Sequence, residues 1–172
     1  MYSSNFILGH ENAPLTITMY SDFQCQACRW WYPRIKEVIN SHPNHVKLVL
    51  KHYILSSHIK SFMAAKAALA ADVQGKFYEM ADVLFKESEK LDENNLLEYA
   101  KQAGLNIDQF VRDYTQKDVE WEKRISIDKQ MGEESDVNGT PSFYLNGHRV
   151  HPTDVTSWNK LINDCLVGKS PQ

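Results

Sequence analysis

The pattern of apolar and polar positions divides the chain into a strand-bearing start, a long helical middle and a strand-bearing end. In "PLTITMYSDF", residues 14–23, Leu15, Ile17 and Met19 alternate with Thr16, Thr18 and Tyr20. This period of two, with its β-branched residues, predicts a strand that ends at Ser21-Asp22. From Cys25 to Asn40 the period becomes helical. Cys28, Trp31, Ile35, Val38 and Ile39 share one face, and Arg34, Lys36, Glu37 and Asn40 fall largely off it. Pro33, inside this helix, lacks a backbone donor and predicts a kink. "VKLVLKHYIL", residues 46–55, reads as a second strand with Val46, Leu48 and Leu50 in alternation. Two strands joined through a helix favour parallel pairing with a right-handed crossover.

Residues 58–135 change character, being rich in Ala, Lys, Glu and Leu. Helical periodicity predicts segments over about 59–73, 75–87, 93–103 and 107–133, with breaks at Gly75, at "LDENN" and at "AGLN", where Gly104 stops a helix. No flexible linker flanks this block, so it reads as an all-helical insertion within one domain. Strands then return: "PSFYL" and "HRVH" flank Asn146-Gly147, the signal for a tight type I′ hairpin. A last helix over 154–167 puts Trp158, Leu161, Ile162, Cys165 and Leu166 on one face and ends at Gly168. The order is β-α-β, helices, β-β-α. It predicts a single α/β domain whose core occupies about 13–57 and 136–168, with the insertion over 58–135.

Composition narrows the class of function. At 172 residues the chain is long enough to bury a core without disulfides or metals. A formal charge of -3 with interspersed signs offers no basic patch for nucleic acid. The longest apolar run, "AAKAALAA" at 64–71, is short and broken by Lys66, far from the ~20 residues that cross a bilayer. The opening segment lacks a basic leader and a long apolar stretch, the expectation for a cytoplasmic chain or a mature exported one.

The chemistry concentrates in "SDFQCQACRWWYP", residues 21–33. Cys25 at a helix N-terminus meets unpaired backbone N–H groups and the positive end of the helix dipole, which favour its thiolate. Cys28, one turn in, is close enough to bridge. Cys25 is therefore the natural attacking thiolate, and Cys28 the partner that attacks back to release a mixed disulfide. The dipole supplies about 0.3–1 kcal/mol, or ~2 in good geometry, so a pKa depression of several units requires direct hydrogen bonds to the sulfur. Two rivals stand beside this reading: half of a structural zinc site, and two packed thiols without a role. Zinc needs four ligands, and the remaining thiol, Cys165, lies on an apolar helix face, while His148 and His151 are loosely spaced beside the hairpin. No metal and no cofactor is expected.

"APLTITMYSDFQCQAC", Pro33 five residues after the second cysteine, and "GTPSFYLNG" at 139–147 resemble the DsbA-like thiol-disulfide oxidoreductases of the thioredoxin superfamily. "HIKSFMAAKAALAA" and "GKFYEMADVLF" resemble the helical insertion of that branch. The resemblance implies a thioredoxin fold, a central mixed β-sheet flanked by helices, with an inserted helical subdomain. It implies a cis Thr140-Pro141 bond facing Cys25 and Cys28, with the Thr140 backbone offering strand-like hydrogen bonds to a substrate chain. It further implies substrates that are thiol- or disulfide-bearing proteins, a redox partner that recycles the cysteine pair, and the oxidase direction. An oxidase belongs to the periplasm or another extracytoplasmic space. A reductase of the same fold and a non-catalytic peptide-binding module are the alternatives. Isomerases of this group add a dimerisation segment for which the stretch before Leu15 has no room, so a monomer is expected.

Several positions depart from the family pattern or stay open. Gln26-Ala27 between the cysteines carries neither the His nor the Pro of many relatives, and the buried acid found six residues before the first cysteine is here Met19. Gln26, Ala27 and Asp22 are the candidates for redox tuning, Asp22 as a proton relay or as a solvated or capping acid. Lys51 and His52, at the second strand, either tune the site by charge or are solvent-facing ends, the latter being the expectation. Trp30 projects away from the core face, to line a substrate surface or to pack on the insertion. Cys165 reads as a small buried apolar residue.

Overall fold

The computed structural model describes residues 6–171; the first five residues of the polar opening segment lie outside them. A strand seen only in the structure, β1 (Ile7–Gly9), comes first, followed by β2 (Leu15–Ser21), α1 (Gln26–Ser41) and β3 (Val46–His52). Five helices follow: α2 (Ser61–Asp72), α3 (Phe77–Lys86), α4 (Glu93–Gln102), α5 (Ile107–Gln116) and α6 (Asp118–Glu134). The chain closes with β4 (Ser142–Leu145), β5 (His148–Val150) and α7 (Val155–Leu166).

The strands form one mixed sheet in the order β1-β3-β2-β4-β5. The β2-α1-β3 unit pairs in parallel, from Leu15 opposite Val46 to Ser21 opposite His52, and every other pairing is antiparallel. This is the mixed sheet with flanking helices that the family resemblance implies. β1 extends the core before residue 13. Its three residues are too few to show a period, and it is fixed by pairing on β3. At Gly9, with φ of 105°, a Cβ would come within 2.9 Å of the Val46 carbonyl oxygen, so the strand meets β3 too closely for a side chain.

Alternation along the central strands sorts their side chains between two layers. Ile17, Met19, Leu48 and Leu50 enter the main core with Ile35, Val38 and Ile39 of α1 and Trp158 and Ile162 of α7. Tyr20, on the opposite face, joins Tyr53, Val137 and Tyr144 in a smaller cluster. α6 closes on that cluster through Gly132, where a Cβ would stand 2.7 Å from the Tyr53 ring and 3.1 Å from that of Tyr20. Alanine at this helical position gains about 1 kcal/mol of propensity, whereas overpacking costs about 1–3 kcal/mol. Gly132→Ala is therefore expected to destabilise by about 1 kcal/mol in urea unfolding; a stabilised variant would show that the two rings yield freely.

Details differ from the periodicity. Tyr32, not Trp31, is the buried aromatic of α1; Trp31 is half-buried, edge-on to Phe143 at 5.2 Å between ring centres. The helix continues through Pro33 without interruption. The predicted helix over 107–133 is two helices that meet at Lys117, whose φ of -102° and ψ of 27° leave the helical region. The Asp113 carbonyl at this break accepts hydrogen bonds from the Trp121 indole at 3.0 Å and from the Lys117 N–H. No Gly or Pro marks the site, so the sequence hides it. Leu166, placed on the apolar face of α7, is exposed. The hairpin takes the conformation that Asn146-Gly147 predicts, with φ of 47° and 82°. Asn146 also ties the turn to β2, its side-chain oxygen accepting from the Thr16 N–H at 2.7 Å.

Candidate active site

The site forms where the C-terminal end of β2 turns into α1. Residues 22–25 make a tight loop in which the Cys25 N–H donates to the Asp22 carbonyl at 3.1 Å. Cys25 is the N-cap residue of α1, with extended dihedrals of φ -71° and ψ 118° and no side-chain cap. Its sulfur therefore stands where the first helical N–H groups point. Cys28 begins the buried face of the helix and is 0% exposed, while Cys25 is 7% exposed. The two thiols are unbridged.

The surroundings separate the two thiols chemically. Cys25 falls from the usual 9.0 to about 5, chiefly through a hydrogen bond from Cys28, against the opposing effect of burial. The Thr140 hydroxyl, near the sulfur without a formed hydrogen bond, favours the anion, and the backbone N–H groups of Cys28 and Ala27 donate to it. These are the direct hydrogen bonds that the helix dipole alone could not replace. Cys28 moves the other way, well above 9.0, because it is buried and because a charged Cys25 stands beside it. At neutral pH the pair holds one proton, and Cys28 keeps it.

Thr140 comes from the other half of the chain. The Thr140-Pro141 bond is cis. The Thr140 carbonyl lies 3.3 Å from Cys25 Sγ, across a separation of 115 residues, and accepts its S–H when the thiol is protonated. Beside Pro141 a cavity of about 200 Å³ runs between Trp31, Phe143 and the 149–152 segment. Trp30 is 45% exposed, and its ring meets Trp31 edge-on at 5.0 Å and stacks under the Arg34 guanidinium at 3.6 Å. It projects from α1 and is steadied by neighbours on its own helix. Gln26 and Ala27 are exposed beside the cysteines. Cys165 is half-buried against the main core, with its thiol pKa raised by that burial.

Two sequence expectations need correction. Asp22 is not a solvated acid: it is buried, and both oxygens are committed. Oδ1 accepts from the Gln24 N–H at 2.8 Å and from the Ser61 hydroxyl; Oδ2 accepts from the Leu55 N–H at 2.9 Å and faces His58 Nδ1 at 2.9 Å. The carboxylate pins the cysteine loop to the segment after β3 and to the start of α2. Asp22→Ala leaves the Gln24 and Leu55 N–H groups without this acceptor and is expected to cost about 3 kcal/mol. Thermal and urea unfolding would check this, and a loss below 1 kcal/mol would mean that water replaces the carboxylate.

Lys51 and His52 are likewise not solvent-facing ends, for both are buried. Lys51 Nζ pairs with Asp128 Oδ1 of α6 at 3.0 Å, and Arg124 Nε lies 3.8 Å from the same oxygen. The His52 N–H donates to Asp128 Oδ2 at 3.1 Å. Sequence reasoning also passed over Ser21, a polar residue continuing the inward-facing series Leu15, Ile17, Met19. That continuation was the available signal. Among the described residues no group of three or more His, Cys, Asp or Glu side chains is arranged to hold a metal ion, and the cysteines have no zinc partners.

A family model described as thioredoxin matches residues 3–164. The chain belongs to the thioredoxin family. Within this thioredoxin family the architecture is DsbA-like. A solved thioredoxin-like oxidoreductase from Silicibacter pomeroyi DSS-3 superposes with a TM-score of 0.82 at 25% identity, covering 99% of each chain. The thiol-disulfide exchange protein alpha-DsbA2 from Wolbachia pipientis superposes with a TM-score of 0.84 at 21% identity, over 92% of this chain and 86% of that one. Among curated proteins, the Na(+)/H(+) antiporter NhaA 1 of Mycolicibacterium gilvum (strain PYR-GCK) is 34% identical over 153 residues, 88% of this chain. The chain spans about a quarter of the length of the curated relatives it matches. No helix among the described residues is long and apolar enough to cross a membrane.

Proposed function

We propose that this protein is a thiol-disulfide oxidoreductase that exchanges disulfides with protein substrates through Cys25 and Cys28, and that it works as an oxidase. The observation that carries this reading is the split within the pair: Cys25 lowered to about 5 at a helix N-terminus, beside a buried Cys28 that keeps its proton. In the oxidase direction a substrate thiolate attacks Cys25 of the Cys25–Cys28 disulfide, and Cys28 leaves as a thiolate and is protonated. A second substrate thiolate then attacks the substrate sulfur of the mixed disulfide and expels Cys25 as its low-pKa thiolate. The same hydrogen bonds that hold Cys25 as an anion stabilise the reduced pair over the disulfide, which makes the disulfide a stronger oxidant.

The substrate chain lies along Thr140 and Pro141, with the 200 Å³ cavity and the exposed Trp30 ring as its flanking surfaces. Stable protein disulfides form in oxidising space, so the protein acts outside the cytoplasm. A redox partner reoxidises the pair after each turnover.

The pH profile of Cys25 alkylation tests the assignment. The rate is expected to rise with a midpoint near pH 5 and to level off above about pH 6, whereas an ordinary thiol climbs through ~8.5. Equilibration in glutathione buffer then reads the direction. A potential nearer -120 mV supports the oxidase, and one near about -270 mV makes the protein a reductase.

A further inference from the structure

At the ends of β2 and β3 two buried polar atoms, Ser21 Oγ and His52 Nε2, stand without hydrogen-bond partners. Alternation along β2 sends Ile17, Met19 and Ser21 to one face, and along β3 it sends Leu48, Leu50 and His52 to the same face. Ser21 and His52 are opposite each other in the parallel register. Both are 1% exposed. Ser21 Oγ and His52 Nε2 are buried and make no hydrogen bond to any described residue. Buried polar atoms are nearly always paired, so two orphans side by side need a reason.

The His52 ring is boxed by Phe23 at 5.9 Å, Phe77 at 5.9 Å and Phe6 at 6.5 Å. The charged groups that act on it are Asp128 and Arg124 from α6, Lys51 from β3 and Asp22 from the cysteine loop. Burial outweighs them and lowers the imidazole to about 4, so it is neutral at physiological pH.

The reacting atom on which Ser21 acts is the Cys28 sulfur. Burial raises Cys28, and the groups that work against this are the Asp22 backbone N–H and the Ser21 hydroxyl. With Cys28 protonated, the Ser21 hydroxyl lies near the sulfur without a formed hydrogen bond. A thiol is a weak acceptor and offers it little. A thiolate is charged and accepts strongly.

We propose that the Ser21 hydroxyl is a catalytic donor held for the Cys28 thiolate, and that neutral His52, opposite it in the register, is the positioning residue behind it, its Nε2 taking up the hydroxyl oxygen only when that hydroxyl turns to the charged sulfur. The proposal rests on the exchange activity argued above. In the step concerned, Cys28 gives up its proton and its thiolate attacks the Cys25 sulfur of a mixed disulfide. The Cys25–Cys28 bond forms, the bond from Cys25 to the outer sulfur breaks, and the departing thiolate takes up one proton. The pair is oxidised and the outer group reduced, with no further reactant. A neutral chain from His52 through Ser21, formed only with the thiolate, steadies the anion without placing a second charge in the core.

The reaction of the reduced protein with oxidised glutathione separates the steps. Acid quenching and mass measurement follow the Cys25–glutathione adduct as it forms and as Cys28 closes it. In Ser21→Ala the adduct is expected to persist about tenfold longer at pH 7, the effect of losing one charge-assisted hydrogen bond. Cys25 alkylation should be unchanged in that variant, and Ser21→Thr should restore closure. His52→Phe, which keeps a ring in the aromatic box, should lengthen the adduct lifetime about threefold, again with Cys25 unaltered. Closure in Ser21→Ala as fast as in the unaltered protein overturns the proposal, as does a slowing of both steps in parallel. Failure of the unaltered protein to form any adduct overturns the exchange activity itself.

Discussion

Replacing Cys25 with serine is expected to lower thiol-disulfide exchange by about three orders of magnitude, to the uncatalysed background, because the attacking atom is gone. Cys28→Ala is expected to behave differently. It retains the first chemical step, lacks the resolving thiol and accumulates mixed disulfides on Cys25. It also removes the hydrogen bond that contributes most to the low pKa of Cys25, so the alkylation midpoint should rise above about 5. The sign follows from the proton count: Cys28 donates to the Cys25 thiolate, and losing that donor disfavours the anion. A Cys25→Ser protein that exchanges a model disulfide as fast as the unaltered one would reduce the pair to structure and leave a peptide-binding module. Equal midpoints in Cys28→Ala and the unaltered protein would put the origin of the acidity elsewhere.

The second large effect is expected at Asp128. This carboxylate is 0% exposed and faces Lys51 and Arg124 while accepting the His52 N–H. Removing one member of a buried ion pair costs about 3–5 kcal/mol, since the remaining charge has lost both water and its counter-ion. Asp128→Ala strips the buried Lys51 ammonium of its carboxylate and removes the acceptor of the His52 N–H, so the upper part of that range applies. Lys51→Met should cost less by more than about 1 kcal/mol, because Asp128 keeps Arg124. Urea unfolding of the two variants decides the matter; equal losses would mean that Arg124 does not share the carboxylate's charge.

The reason these buried charges escaped sequence reasoning is distance along the chain. Asp128 meets Lys51 across 77 positions, and two charged or titratable residues at the end of a strand look solvated when their partner is unseen. Asp22 reads as solvated for the same reason, because Leu55, His58 and Ser61 reach it from the far side of β3. Local signals fared better. The period of two in β2 and β3, the cysteine at a helix start and Asn146-Gly147 each specify geometry within a few residues, and each appears as expected. Only the family resemblance brought Thr140 to Cys25, since nothing local to "GTPSF" indicates a contact 115 residues away. β1 and the break at Lys117 lie at the other limit, too short or too unmarked to perturb a periodic pattern.

The order β1-β3-β2-β4-β5 leaves a three-residue strand at each side of the sheet. Long unpaired margins are templates on which extended polypeptides add strands and aggregate, and brief ones give a passing chain little to hold. On the proposed reading this protein spends its working life among unfolded, thiol-bearing polypeptides that are rich in such strand-forming segments. Its sheet offers them two blunt margins, and leaves the backbone beside the cysteine pair as the place where an extended chain can settle, react and depart.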